Sequence, residues 1–145
     1  MIKNLLLDMG GVILNVSYQK VIESFKAYGI KDFDKVYTQA AQVEIIDRFE
    51  EGKCTPAKFR EGVRALLKKD LTDEQIDTAW FSMILDIPKD VIRLLEVLKS
   101  KYRLFLFSNT NVLHIEFLKK EFERQLGFDL FTHTFEKAFF SNEIH

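Results

Sequence analysis

The sequence predicts an α/β protein in which a block of helices is inserted into a parallel β-sheet directly after the first strand. Two short apolar runs lead to this fold class. LLLD near the N-terminus ends on an aspartate, and RLFLFS ends on a serine at position 108. Between them the apolar residues recur at helical spacing. Strands and helices that alternate along a chain in this way form parallel sheets with helices packed against them.

The first strand is predicted at residues 3 to 8, KNLLLD, because its apolar residues are continuous rather than alternating. A continuous run of this kind is typical of a strand that is buried on both faces. The strand presents Asp8 at its carboxyl end, and glycines follow at positions 10 and 11.

The middle of the chain shows only helical patterns. Apolar residues at the spacing of one helical face begin at Tyr18, and a second helical stretch, VYTQAAQVEIIDRF, follows. Thr55 and Pro56 have the form of an N-cap followed by proline at the first helical position. Thr72 and Gln75 have the spacing of a capping box. We therefore expect a segment built of successive helices.

The second half of the chain returns to the sheet. Pro88 is expected to open a helix, RLFLFS forms the second strand, and a helix begins at about Val112. A third strand is expected near residues 133 to 140. The apolar stripe predicted for the helix after Pro88 consists of Val91, Leu94, Leu95 and Leu98.

This order divides the chain into two parts. Residues 1–15 and 86–145 are expected to form an α/β core, and residues 16–85 a helical insertion. In open parallel sheets ligands bind outside the carboxyl ends of the strands. Asp8 and Ser108 should therefore be neighbours at that edge.

Composition limits the classes of function. The 145 residues are enough for about one domain, and 47% hydrophobic residues can bury a core. The net charge is −1, with basic and acidic residues mixed, so we expect no nucleic-acid partner and no basic membrane anchor. The N-terminal apolar run is too short to span a bilayer. A single cysteine, Cys54, suits a reducing compartment, so a cytoplasmic location is expected.

Each candidate site residue has two interpretations when taken alone. A carboxylate such as Asp8 can attack an electrophile and form a covalent ester, or it can cap its own turn. The stretch from Ser108 through Asn109 to Asn111 offers donors to an anion at the start of a helix, or it caps that helix.

Together the two stretches resemble the first two motifs of the haloacid dehalogenase-like hydrolase superfamily. DMGGVIL matches the first motif and LFSNTN the second, and SNTNVLH resembles in particular the α-D-glucose-1-phosphate phosphatase-like branch. FEEGKCTPAKF and the segment from Trp80 to Leu98 are also similar to that branch. The resemblance implies a Rossmannoid parallel sheet, incomplete at the C-terminus, so that residues 1–15 and 86–145 are a partial core. It also implies that residues 16–85 are a helical cap after the first strand.

The resemblance also implies roles for individual residues. Asp8 is the implied nucleophile and a Mg²⁺ ligand, and the main-chain carbonyl of Gly10 is the second metal contact. Ser108, the amide of Asn109 and Gly11 are the implied phosphate-binding groups. The expected activity is hydrolysis of small phosphorylated metabolites through an aspartyl-phosphate intermediate.

The first departure from the family pattern is Gly10. Most phosphatases of the superfamily have there a second aspartate, which protonates the leaving oxygen. The acid must then come from the cap, from solvent or from the substrate, and one carboxylate of an acidic cap stretch could reach the site (Glu44, Asp47, Glu50 and Glu51). A 2-haloacid dehalogenase is the alternative enzyme, because halide leaves without a proton, although dehalogenases typically have a tyrosine at this position.

The second departure is that the third-motif lysine and the fourth, acidic motif of the superfamily have no match. Lys119 and Lys120 lie on a predicted helix, and Lys137 is expected to face solvent. We therefore expect a further C-terminal segment or a second copy of the chain to complete the sheet. Without it, residues 3 to 8 would form an exposed edge. A truncated, non-catalytic relative is the other alternative.

The remaining polar and aromatic candidates are expected to be structural. His114, His133 and His145 lack metal-ligand spacing, so structural or exposed positions are expected for them. Trp80 is expected to pack within the helical segment.

Overall fold

The computed structural model describes residues 2–31, 33–36 and 44–144. Its elements follow the predicted order of strand, helical block, helix, strand, helix and strand. They are β1 (Asn4–Leu7), α1 (Tyr18–Ala27), α2 (Phe33–Val36), α3 (Glu44–Glu50), α4 (Pro56–Leu67), α5 (Asp73–Phe81), α6 (Lys89–Lys99), β2 (Arg103–Ser108), α7 (Val112–Leu126), α8 (Leu130–Thr134) and β3 (Lys137–Phe140).

The three strands of the described residues form one parallel sheet in the order β1-β2-β3. Leu7 lies opposite Leu106, and Ser108 lies opposite Phe140. The carboxyl ends of all three strands therefore meet at one edge, which confirms the α/β class and the parallel sheet. In the described part of the chain, every helix is too short or too polar to serve as a membrane span.

The helix starts agree with the local signals in the sequence. The Thr55 hydroxyl accepts the amide of Lys58 at 3.3 Å, with Pro56 at the first helical position. Thr72 and Gln75 form both hydrogen bonds of a capping box. Side-chain caps of this kind satisfy amides that the first helical turn leaves without a partner. These predictions are confirmed.

Two hydrophobic clusters lie on either side of the cavity described below. The helical cluster is centred on Phe25, Phe49, Phe59 and Trp80 and also contains Leu113 of α7. The sheet cluster joins Leu104 and Leu106 of β2 to apolar residues of α6, α7 and α8. Since α7 contributes to both clusters, it connects the helical segment to the sheet. The predicted boundaries of core and cap stay a prediction.

The prediction that the first strand is buried on both faces is wrong. The side chains of Leu5 and Leu7 are half-buried against the sheet cluster, whereas Leu6 is 65% exposed. Leu6 pairs with Phe105, and Phe107, on the same face of the sheet, is 44% exposed. The helices of the described residues cover the other face. The strand β1 is at the edge of the described sheet. The expected completion of the sheet by a further segment or a second copy stays a prediction.

Two further details differ from the predictions, and a third prediction is tested only in part. Leu94 is 54% exposed, so the stripe on α6 is narrower than predicted, and Leu95 is its buried centre. The third strand begins at Lys137, because the preceding Leu130–Thr134 forms a helix that buries Leu130 and Phe131. The helical stretch predicted across residues 36–49 is helical at Glu44–Glu50, and residues 37–43 lie outside the described part.

Candidate active site

A cavity of about 430 Å³ lies at the carboxyl ends of β1 and β2. All five residues singled out from the sequence line it, namely Asp8, Gly10, Gly11, Ser108 and Asn109. The helical segment contributes Tyr18, Glu50, Met83 and Ile84 to the opposite wall. The cavity is therefore enclosed between the sheet edge and the helices that follow the first strand. Lys119, Lys120 and Lys137 do not line it.

The turn after β1 fixes the position of Asp8. One carboxylate oxygen of Asp8 accepts the amide of Met9 at 2.7 Å, and the Met9 carbonyl accepts the amide of Ile13 at 2.8 Å. Gly11 has φ +74°, a conformation that favours glycine, and its amide donates to the Leu14 carbonyl at 2.8 Å. A phosphoryl oxygen would have to share or replace that bond, so the phosphate-binding role of Gly11 stays a prediction.

The second polar stretch leaves β2 at the same edge. The Ser108 side chain is buried, and its carbonyl accepts the amide of Ser141 from the turn after β3 at 3.0 Å. Asn109 is exposed to the cavity. Asn111 is fully buried and caps α7, since its side-chain oxygen accepts the amide of His114 at 3.1 Å. The capping interpretation is therefore right for Asn111, whereas Ser108 and Asn109 line the cavity.

His114 is a structural residue, as expected, and connects α7 to the helical segment. Its ring stacks on Trp80 with 5.2 Å between centroids, and Nε2 lies 3.2 Å from the Trp80 carbonyl. Nδ1 lies 3.3 Å from the side-chain amide nitrogen of Asn111. These partners fit a neutral imidazole that donates from Nε2 and accepts at Nδ1. Burial lowers the pKa of His114 to about 4, which keeps the ring neutral.

We expect His114 to make the fold sensitive to acid. The unfolded chain binds more protons than the folded one between the ordinary histidine pKa of about 6.5 and the folded pKa of about 4. Stability should therefore fall as the pH drops through this window, by at most about 3 kcal/mol from this group. Urea unfolding of wild type and His114→Gln at pH 7.5 and 4.5 measures the difference. His133→Gln is the matched surface control.

Glu50 is the carboxylate of the acidic stretch that reaches the cavity. Glu44, Asp47 and Glu51 are exposed, whereas Glu50 is half-buried and lines the same cavity as Asp8. Burial raises the pKa of Glu50 to about 7, and the nearby charge of Asp47 adds to the shift. The pKa of Tyr18 is also raised, by burial first and then by Glu50 and Asp8.

The sequence did not reveal Ser141 as part of this region. Its hydroxyl accepts the amide of Thr110 at 3.0 Å and donates to the Glu50 carbonyl at 2.8 Å. These partners lie 31 and 91 positions away in the chain, so no local pattern marks them. For His114 the sequence contains a weak signal, because Asn111 and His114 have the spacing of a helix cap and the residue whose amide it accepts.

The oxygen donors at this edge suit a small hard cation. Asp8 offers a carboxylate and Gly10 a main-chain carbonyl, both at the cavity surface. Mg²⁺ is commonly held by one or two carboxylates, with waters and substrate phosphate supplying the other ligands. Among residues 2–31, 33–36 and 44–144, no three His, Cys, Asp or Glu side chains are grouped so that they could ligate a metal ion. The donor set therefore fits Mg²⁺ shared with a phosphate.

Comparisons with known proteins identify relatives of this chain. The chain is 32% identical over 111 residues to D-ribitol-5-phosphate phosphatase of Bacteroides thetaiotaomicron, covering 77% of this chain and 54% of the relative. The chain thus spans about half of the length of that curated relative. No protein-family model matches the chain.

Solved structures share the fold over nearly the whole chain. A HAD family enzyme of B. thetaiotaomicron, an aspartate-to-alanine variant in complex with magnesium and inorganic phosphate, is 37% identical with a TM-score of 0.92. The match covers 99% of this chain and 70% of that one. A protein of Porphyromonas gingivalis described as a predicted HAD-like family hydrolase is 26% identical, with a TM-score of 0.85 and coverage of 99% and 68%.

Proposed function

The chain belongs to the haloacid dehalogenase-like hydrolase family, and from this we propose that the complete protein is a Mg²⁺-dependent phosphatase of small phosphorylated metabolites. The observation that carries the proposal is the meeting of Asp8 with Ser108 and Asn109 in one cavity. The comparisons support it, since a curated relative is a sugar-alcohol phosphate phosphatase by name and a HAD family enzyme of the same organism was solved in complex with magnesium and inorganic phosphate. The substrate class we propose is a phosphorylated sugar or sugar alcohol.

Asp8 is the nucleophile in this proposal. Its carboxylate stands at the end of a strand, in a turn fixed by three amides that donate to the Met9 carbonyl. A nucleophile that is held in place before the substrate arrives needs no reorganisation during the reaction. Attack by a carboxylate oxygen on phosphorus gives an aspartyl-phosphate, which water then hydrolyses.

The other residues of the cavity bind and orient the phosphoryl group. The hydroxyl of Ser108 and the amide of Asn109 donate hydrogen bonds to its oxygens, near the N-terminus of α7, which favours an anion. Asp8 and the Gly10 carbonyl would hold Mg²⁺, which neutralises negative charge on the transferring group. The helices of residues 16–85 act as a cap that excludes water from the cavity.

The test is hydrolysis by the complete gene product that contains this sequence. Phosphate release is measured from a panel of sugar phosphates, sugar-alcohol phosphates and aryl phosphates, with Mg²⁺ and with excess chelator. We expect turnover that requires Mg²⁺. Chloride release from 2-chloropropionate without phosphate release would instead identify a dehalogenase, and neither release would identify a non-catalytic relative.

A further inference from the structure

Phosphate-ester hydrolysis needs a proton donor for the leaving oxygen, and position 10 has no side chain to provide one. Apart from Asp8, the one carboxyl side chain among the described residues that line the cavity is Glu50. Asp8 cannot serve as this acid, since the proposed function requires it ionised as the nucleophile. Glu50 comes from the helical wall, opposite the strand end that carries Asp8.

We propose that Glu50, the last residue of α3, is the catalytic acid that protonates the leaving oxygen. This assignment rests on the proposed function and adds to it the group that the Gly10 position lacks. It also implies a substrate class, because an enzyme with a dedicated acid can cleave alkyl phosphates, whose alkoxide leaving groups need a proton.

The main chain holds Glu50 against the phosphate-binding edge. The Ser141 hydroxyl donates to the Glu50 carbonyl at 2.8 Å, and the Ser141 amide donates to the carbonyl of Ser108 at 3.0 Å. The same hydroxyl accepts the amide of Thr110 at 3.0 Å. One residue thus ties the acid to the loop that carries Ser108. These contacts involve the backbone of Glu50, so they survive a change of its side chain.

A close backbone contact at Gly52, two residues after Glu50, also holds this part of the chain in place. A Cβ atom built at Gly52 would lie 2.2 Å from the carbonyl oxygen of Asn142, so the backbone of the turn after α3 packs directly on the turn after β3. Glycine permits this approach because it has no side chain. The backbone next to Glu50 therefore has little room to move relative to the turn after β3.

The surroundings of Glu50 favour its protonated form. Burial raises its pKa to about 7, and Asp47 on the same helix adds to the shift. Among the described residues that line the cavity, the other titratable groups are Asp8, Tyr18 and the neutral His114, and none of these three is a cation. An acid whose pKa lies near the working pH is suited to donating a proton.

The reaction then balances without a further donor. An oxygen of the Asp8 carboxylate forms a bond to phosphorus while the bond from phosphorus to the leaving oxygen breaks. The leaving oxygen takes the proton from the Glu50 carboxyl group and departs as an alcohol. In the second step the Glu50 carboxylate takes a proton from a water molecule whose oxygen attacks phosphorus. The bond from phosphorus to the Asp8 oxygen breaks, so phosphate leaves, Asp8 is again a carboxylate and Glu50 is again protonated.

Glu50→Gln in the complete protein tests the assignment on two substrates. On an alkyl phosphate, kcat/KM should fall by about 10² to 10⁴-fold, because the alkoxide loses its proton donor. On 4-nitrophenyl phosphate, whose leaving group needs little protonation, it should change by no more than about threefold. In wild type the rate on the alkyl phosphate should fall as the pH rises through about 7, because Glu50 loses its proton. The variant should not show this decrease.

Glu51→Gln is the matched control, because Glu51 is the exposed neighbour and pairs with Lys53 at 2.8 Å. It should behave as wild type on both substrates. Equal losses on both substrates for Glu50→Gln, or an unchanged alkyl rate, would overturn the assignment. Absence of any phosphatase activity in wild type would instead overturn the proposed function.

Discussion

Asp8→Asn is expected to lower phosphate-ester turnover by on the order of 10³-fold or more, because an amide oxygen does not attack phosphorus. The fold should remain intact. Asp8 is exposed, and its hydrogen bond with the Met9 amide uses a side-chain oxygen that asparagine retains. The loss should appear on every phosphate ester that wild type cleaves, whatever its leaving group.

Steady-state rates and thermal melts of the same preparations check this expectation. Asp90→Asn is a suitable control, because Asp90 is a highly exposed carboxylate on α6 that contacts Arg93 at 3.0 Å. It should change neither rate nor melting temperature measurably. Normal turnover of Asp8→Asn on the full panel would show that another group is the nucleophile.

Gly52→Ala is expected to be the most destabilising single-methyl change in the region where the turn after α3 packs on the turn after β3. Gly52 has φ +68°, and its added Cβ would lie 2.2 Å from the backbone oxygen of Asn142. The conformation alone costs about 1 kcal/mol, and forced overpacking adds about 1 to 3 kcal/mol. Since the same turn positions Glu50, the variant should also lose activity on alkyl phosphates.

Gly127→Ala separates the two causes of destabilisation. Gly127 has φ +80°, yet a Cβ there would meet no atom within 4 Å. It should therefore cost only the conformational part, and its activity should equal that of wild type. Each kcal/mol corresponds to a shift of about 2 to 4 °C in Tm for a protein of this size or somewhat larger. Equal Tm values for the two variants would refute the close contact at Asn142.

The sequence by itself determined the features that depend on neighbours a few positions apart. The caps at Thr55 and Thr72, the helix that begins at Tyr18 and the strand at RLFLFS were all predicted from local spacing. The two motifs also placed Asp8 and Ser108 at one edge, because parallel strands bring their carboxyl ends together. These signals are local in the chain or follow from topology, so a single sequence contains them.

Only the tertiary structure decided which carboxylate enters the cavity and which face of the sheet is covered. Glu44, Asp47, Glu50 and Glu51 are alike in the sequence, and Glu50 alone among them lines the cavity. The continuous leucines of the first strand predicted burial on both faces, yet the described helices cover one face and leave Leu6 exposed. Both outcomes depend on segments that are distant in the chain, as in the bond between Ser141 and Glu50, which spans 91 positions. Contacts of that range leave no local spacing in the sequence, because packing rather than propensity selects them.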